Sequence, residues 1–370
     1  MVVDSSIQRI SQLTPRGAVL ASFARNVSEV RRQTVAVAAA INAVLAEDVI
    51  VSTSPLRPVA LRDGFPVKAD DVADATPYAP VTLPDARPIE LGEALPEGAD
   101  TVLPHDVVTL RDDRVEAIAG LAAGDGVLPE GGNANSRAPM RRAGEKIRAI
   151  DVAVFLAAGV TRVAVRMPRI AVAYAHKAGN DSANGHFQIL SCAIRGLGGV
   201  VADEPISLEE ALAKDAIDGV IGVGGTGSGQ RDASVNMLGK FGRVETHGIA
   251  ITPGQTAAFG SIGERPVLLL PGRFDAMLAA WLLIGRYLIA GLSGGNVDEL
   301  PTIMALKRKI TSTIGMTELI PARCVEGLAE PMASGYLSLT SLVHSDGWIE
   351  VPAASEGFAD GTLVPVNRWP

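Results

Sequence analysis

The run from Asp218 to Asp232 reads Asp-Gly-Val-Ile-Gly-Val-Gly-Gly-Thr-Gly-Ser-Gly-Gln-Arg-Asp and carries the sharpest chemical signal in the chain. A buried strand, Gly219–Val223, runs into the glycine-rich segment Gly222–Asp232, which has five glycines (Gly222, Gly224, Gly225, Gly227 and Gly229), and a helix is expected at Ala233–Phe241. Glycine lets the backbone approach a ligand and turn its N–H groups inward. A helix beginning just beyond such a loop adds its positive end, and together they form a cradle for an anion. A plain tight turn with Asp232 as helix cap would need one glycine, not five. A second run, Leu269-Leu270-Pro271-Gly272-Arg273-Phe274-Asp275, repeats the scheme of buried strand, turn and helix. Two such loops on one sheet are placed to grip two parts of one ligand.

The other candidates are plainer. Asp63-Gly64, within Leu61–Phe65, reads in isolation as a turn. Arg137, Arg141, Arg142 and Lys146 form a basic cluster suited to an oxyanion or to solvent. The histidines at 105, 176, 186, 247 and 344 show no metal-ligand spacing. Gly222, Gly224 and Gly227 spell G-x-G-x-x-G, and Glu245 follows where a ribose-binding acid would stand, so a dinucleotide-dependent oxidoreductase is a rival reading. No Lys-Ser or Lys-Thr follows the glycines, which excludes a Walker A loop.

The elements that must position these residues follow from composition and pattern. At 370 residues the chain exceeds one ordinary core, and 47% hydrophobic content supplies material for several. Only 4% is aromatic, which favours aliphatic helices on parallel strands over an aromatic-rich sandwich. The net charge of −8 gives no general field for nucleic acid. Cys192 and Cys324 make neither a disulfide framework nor a zinc site, and Cys192 is expected as a buried, inert thiol. Met1–Ile10 lacks an apolar signal core, and Ala276–Leu292 is interrupted by Gly285, Arg286 and Tyr287, so a buried helix, no membrane span and a cytoplasmic location are expected.

The N-terminal part reads as helical: Thr14-Pro15 caps a helix over Ala18–Phe23, and a second helix is expected from Ser28 to Leu45, ending in a strand at Asp48–Val51. From Ser52 to Gly144, recurrent prolines and short β-type runs, with a hairpin turn at Arg111-Asp112-Asp113-Arg114, indicate an inserted β-rich domain. Ile150–Ala158 is helical again. Strand and helix then alternate from Arg169 to about Gly291, implying right-handed crossovers and a parallel sheet. Pro301–Pro370 returns to short strands. The fold expected is therefore multi-domain α/β. Residues 1–51 and 145–167 form a helical part, 52–144 the inserted β-rich domain, 168–295 a central α/β domain and 296–370 a β domain.

The ordered motifs resemble the molybdopterin molybdenumtransferases, the MoeA and gephyrin E-domain family. Arg62-Asp63-Gly64-Phe65-Pro66-Val67 is similar to the family's Met-Asp-Gly-Tyr-Ala-Val. Glu93–Leu103 resembles its Gly-Ala-Pro-Val-Pro-Glu-Gly-Ala-Asp-Ala-Val-Val, and Arg141–Ile147 its Arg-Arg-x-Gly-Glu-Asp-Ile. Gly224–Asp232 resembles its Gly-Gly-Val-Ser-Val-Gly-x-x-Asp, Ile251–Gly260 its Lys-Pro-Gly-Lys-Pro-x-x-Phe-Gly, and Leu269–Gly272 its Leu-Pro-Gly-Asn-Pro. The resemblance implies an elongated N-terminal part, a central molybdopterin-binding domain, a C-terminal β-barrel and a homodimer whose cleft draws on both chains. It implies adenylylated molybdopterin and molybdate as ligands, with a divalent cation such as Mg²⁺ for cleaving the adenylate. Other cofactor-synthesis proteins or a molybdoenzyme are the partners it implies.

Carried over to this chain, Gly224, Gly225, Gly227, Ser228 and Gly229 hold the pterin phosphate region. Pro253, Gly254, Pro271, Gly272 and Arg273 complete the pterin site, and Asp63 and Asp232 are the catalytic carboxylates, Asp232 also the magnesium ligand. The chain departs from the family at Leu91, at Ala175–Ala178 (where Lys177 enters and two acids leave), at Asn184, at Lys146, at Arg273-Phe274, and at Thr252 and Gln255, which replace two lysines. A molybdopterin-binding carrier, sensor or chaperone without turnover is therefore a further alternative.

Overall fold

The computed structural model describes residues 8–84, 86–111, 114–175, 181–297 and 300–370, with backbone only at 181–183. Asp112, Asp113, His176 and Lys177 lie outside the described residues. Two compact units are present: 1–47, 143–156 and 161–370 form one, and 48–142 with 157–160 form the other.

The larger unit is built on a mixed sheet. The parallel strands Val200–Val201, Arg169–Tyr174, Gly219–Val223 and Arg265–Leu270 lie side by side in that order, each crossover being helical or loop-borne. Val220, Ile221 and Val223 are buried, as are Val267 to Leu270, because helices cover both faces. Two antiparallel strands, Ala258–Ile262 and Arg243–His247, extend the sheet beyond the parallel set. The expected crossover helices are present at Asp181–Gly196, Leu208–Ala213 and Ser234–Phe241.

The longest helix of the α/β part spans Phe274–Ser293. It is long and apolar enough by composition to cross a membrane, but 83% of its most apolar window is buried in this unit, among strands and the Arg16–Asn26 helix. Its length thus exceeds what the interrupting Gly285-Arg286-Tyr287 suggests, because Trp281–Gly285 winds as a π-turn that carries the helix past them.

Thr302–Leu306, Thr317–Val325, Leu328–Pro331, Gly347–Val351 and Leu363–Arg368 close on themselves through the pairing of Thr317–Val325 with Gly347–Val351, which makes the C-terminal region a β-barrel. The barrel is stitched to the α/β sheet: Ile251–Thr252 pairs with Thr317–Val325, and Leu319 and Trp348 belong to the same core as Leu268 and Trp281. Arg16 donates to Leu283 O and to Glu350, both at 2.8 Å.

Two N-terminal expectations fail. Ser28–Leu45 is not a helix but the strands Gln33–Ala36 and Val44–Leu45 around a short 3₁₀ turn, paired on either side of Arg162–Arg166. The alanine-rich spacing resembles a helix face, yet the ladder to a distant strand wins and Asn42 takes a left-handed turn at φ +65°. Thr14 does not cap the Arg16–Asn26 helix; its N–H and C=O bridge to Gly248 and Ala250 instead. Asp48–Val51 makes only a single bridge, Val49 to Arg141. Cys192 is exposed, contrary to expectation, because Leu190, Ser191, Ala193 and Ile194 take the buried face of its helix.

The smaller unit holds the short antiparallel pairs expected of a β-rich insertion, including Val108–Arg111 with Arg114–Ala117 and Phe65–Val67 with Thr101–Leu103. Its cores are small, one around Val72, Leu83, Leu103 and Ala117 and another around Ala60, Ile89 and Val102.

Candidate functional site

Ligands of open α/β sheets bind beyond the carboxyl ends of the parallel strands. The Gly219–Val223 and Arg265–Leu270 strands end there together, since Val223 pairs with Leu270. The chain must turn sharply beyond Val223, and Gly224 and Gly225 do so at φ +89° and +68°, values side chains rarely adopt. A Cβ on Gly225 would overlap Ser234 Oγ and lie 3.0 Å from Ala175 Cβ. One on Gly272 would stand 3.2 Å from Gly224 Cα, so the two loops meet backbone to backbone. Gly224 N donates to Leu270 O at 2.9 Å and Ser234 Oγ donates to Gly224 O at 2.7 Å, fixing the start of the loop.

Between the loops lies a cleft of about 280 Å³. Its walls include Gly225, Thr226, Gly227 and Asp232 from one side, Gly254 and Gln255 from below, and Pro271, Gly272 and Arg273 from the other. Of the expected binding residues, Gly225, Gly227, Gly254, Pro271, Gly272, Arg273 and Asp232 therefore come together. Gly224 buttresses the wall, Ser228 and Gly229 are exposed beyond it, and Pro253 is buried beneath. Gln255 is an exposed polar group of the wall.

Arg273 is the cation of the cleft. Its Nε donates to Asp275 Oδ1 at 2.6 Å and its guanidinium lies 5.3 Å from the Tyr336 ring centre, two contacts that fix the charge in place. Asp275, 3% exposed, also accepts from Leu337 N in the barrel segment at 3.3 Å. Asp232 is the carboxylate of the cleft, with Oδ2 accepting from Gly229 N at 3.0 Å. It does not cap the following helix, whose cap residue is Ala233. The cap is Gln8, which accepts from Val235 N and Asn236 N at 3.1 and 3.4 Å. The helix end expected to meet an anion is thus already occupied by this side chain. What remains open is the loop itself: the N–H groups of Gly225, Thr226, Gly227 and Ser228 meet no acceptor among the described residues.

Near the second loop, His186 stacks on Phe274 with ring centres 5.5 Å apart, and burial lowers its pKa below the ordinary 6.5. Tyr174, at the end of its strand, is pushed up to about 12 by burial and stays neutral.

The other expected residues are not among those lining this cleft. Asp63 belongs to the smaller unit, where it is exposed and accepts from Leu91 N at 2.7 Å. Arg137, Arg141 and Arg142 are in the smaller unit too, whereas Lys146 is in the larger and donates to Gly196 O at 3.1 Å. Asn184 is exposed on its helix. The dinucleotide pattern dissolves: Gly222 sits inside the strand, where a Cβ would press 2.6 Å from Leu269 Cδ2, and Glu245 is engaged by Ser22 and Asn26. Among the described residues no group of three or more His, Cys, Asp or Glu side chains converges as a metal cage. Gln8 belongs to no sequence motif, and His247 and Asp275, like Gln8, act by supporting the loops through hydrogen bonds rather than by lining the cleft.

Three family descriptions match the chain in order. The MoeA N-terminal region (domain I and II) matches residues 3–159, a "probable molybdopterin binding domain" matches 187–290, and the MoeA C-terminal region (domain IV) matches 304–369. The chain belongs to the MoeA family. A molybdopterin biosynthesis protein of Methanocaldococcus jannaschii is 25% identical over 365 residues, covering 88% of this chain and 89% of that one. Molybdopterin molybdenumtransferase 1 of Mycobacterium tuberculosis is 26% identical over 314 residues, covering 76% and 73%. A molybdopterin biosynthesis moeA protein from Pyrococcus horikoshii has the same fold, with TM-score 0.76 at 22% identity over 95% of this chain and 99% of that chain.

Proposed function

We propose that this MoeA-family chain is a molybdopterin molybdenumtransferase of molybdenum cofactor biosynthesis, taking adenylylated molybdopterin and molybdate. The observation that carries the reading is the cleft at the strand ends, lined by loop residues whose N–H groups meet no acceptor among the described residues, together with one cation and one carboxylate. Such amides must be satisfied by water or by a ligand, and an anion satisfies them best. Gly225, Thr226, Gly227 and Ser228 offer N–H groups to the pyrophosphate. Arg273 supplies the charge that the family places on the lysines replaced here by Thr252 and Gln255. Asp232 suits a magnesium ion arriving on the pyrophosphate, because Mg²⁺ takes one or two carboxylates and fills its shell with phosphate oxygens and water. The metal, when bound, supplies charge neutralisation at the departing adenylate. Asp63 is read as a second carboxylate of the reaction. Ile150, Val154 and Leu156 are exposed on the Ala149–Ala157 helix and offer an apolar face to a second copy, in keeping with a cytoplasmic homodimer that hands its product to a molybdoenzyme.

The test is direct. Purified protein is given adenylylated molybdopterin, molybdate and Mg²⁺; adenylate release is followed by chromatography, and the product is offered to a cofactor-free molybdoenzyme. Release with activation is expected. Arg273→Ala removes a charged hydrogen-bond donor, a loss of about 1.5–3 kcal/mol, and lowers apparent affinity at least tenfold. Asp232→Asn keeps binding and loses release. Tight binding with no release by the native protein selects the carrier, sensor or chaperone reading instead.

A further inference from the structure

Gln8 precedes every expected motif and lies in a polar N-terminal stretch, yet it is 4% exposed. A primary amide that deep needs partners for donors and acceptor alike. Its Nε2 donates to Gly225 O and to Gly227 O, both at 2.7 Å, while its Oε1 accepts from the first-turn amides of Val235 and Asn236. The carbonyl between those two, that of Thr226, accepts from His247 Nε2 at 2.9 Å. Three consecutive carbonyls of the glycine loop are therefore held by side chains from outside the loop.

In a trans peptide the N–H points opposite to the C=O of the same plane. Holding the Gly225 and Gly227 carbonyls on Gln8 turns the N–H groups of Thr226 and Ser228 to the other side. Holding the Thr226 carbonyl on His247 does the same for Gly227. Gln8 and His247 do not line the cleft, whereas Gly225, Thr226 and Gly227 do. The segment bearing Gln8 is itself anchored. Thr14 bridges to Gly248 and Ala250, and Ile10 and Leu13 pack against Gly248, where a Cβ would overlap Ile10.

We propose that Gln8 is a positioning residue for anion recognition: its amide group fixes the glycine loop so that the Thr226 and Ser228 N–H groups face a pyrophosphate-bearing substrate. This rests on the reading of the cleft as the pterin site. By occupying Val235 N and Asn236 N, Gln8 also confines the anion to the loop amides and Arg273. Gln8→Glu keeps an acceptor for Val235 and Asn236 but sets a carboxylate against two carbonyl oxygens, so the loop turns while the helix stays capped.

The experiment is calorimetric titration of the full chain with inorganic pyrophosphate, alongside amide and arginine Nε resonances of ¹⁵N-labelled protein. Native protein is expected to bind, with Thr226, Ser228 and Arg273 Nε shifting. Gln8→Ala and Gln8→Glu weaken binding on the order of tenfold. In Gln8→Glu the Arg273 signal still responds and the Thr226 and Ser228 signals do not, a pattern that mere loss of stability would not produce. A Gln8→Glu protein that binds like native overturns the proposal. So does native protein whose Arg273 responds while Thr226 and Ser228 stay still, a result that needs no folded variant. Native protein that binds no pyrophosphate overturns the reading of the cleft instead.

Discussion

At the scale of single residues, this chain spends its unusual chemistry on support. Gly225 is irreplaceable because Ser234 and Ala175 crowd it, Asp275 is buried to steady Arg273, and Gln8 is buried to steady carbonyls. His186 belongs to the same category and has a measurable consequence. It is 7% exposed, its Nε2 is buried without a hydrogen-bond partner among the described residues, and its pKa lies below 6.5 through burial. As pH falls past 6.5 the unfolded chain takes up a proton that the folded chain still refuses. The unfolded state then binds more protons, so stability declines from there down to the depressed folded pKa and levels off beneath it. Thermal unfolding followed from about pH 7.5 to about pH 5 should show this loss, and His186→Phe should flatten the part that His186 contributes. An identical slope in native protein and variant would refute the assignment.

At the scale of elements, legibility tracked locality. The Gly219–Val223 strand, its glycine loop and the Ser234–Phe241 helix are contiguous, and their apolar run, glycines and helical spacing could be read directly. The Arg243–His247 and Ala258–Ile262 strands were not anticipated, since their mixed residues become strands only by pairing antiparallel at the edge. Gln33–Ala36 has helix-like local spacing and becomes a strand only through its pairing with the distant Arg162–Arg166. Gln8 left no trace in any pattern, because a lone glutamine reveals itself only through partners more than two hundred residues away. The Phe274–Ser293 helix shows how packing overrides propensity. Replacing a mid-helix glycine by alanine ordinarily stabilises by about 1 kcal/mol. At Gly285 the new methyl would stand 2.5 Å from Cε3 of Trp281, a ring 1% exposed and closed in by core neighbours. Overpacking of that kind costs about 1–3 kcal/mol, so the clash outweighs propensity. Gly285→Ala should lower the denaturation midpoint in urea, and an unchanged or raised midpoint would show that the π-turn gives way.

At the scale of the whole molecule, the distribution of core residues predicts how the chain comes apart. The larger unit has one core that runs from Val19 through Ile221, Leu268 and Trp281 to Leu319 and Trp348, so sheet, long helix and barrel share side chains. The smaller unit keeps its own cores around Leu103 and Val102. Elements that share a core unfold together, whereas separate cores can melt apart and break two-state behaviour. Calorimetry should therefore resolve two transitions. Trp348 is fully buried and its ring lies 5.1 Å from the Arg286 guanidinium, so Trp348→Ala removes about 3–5 kcal/mol from the larger unit. Leu103, also fully buried, contributes to the smaller one, and Leu103→Ala removes about 2–5 kcal/mol there. Each substitution should move one transition and leave the other in place. If Trp348→Ala split the larger transition, the barrel would have melted away from the sheet. The pairing of Ile251–Thr252 with Thr317–Val325 and the separate Asp275–Leu337 hydrogen bond would then be too weak to hold sheet and barrel together on their own.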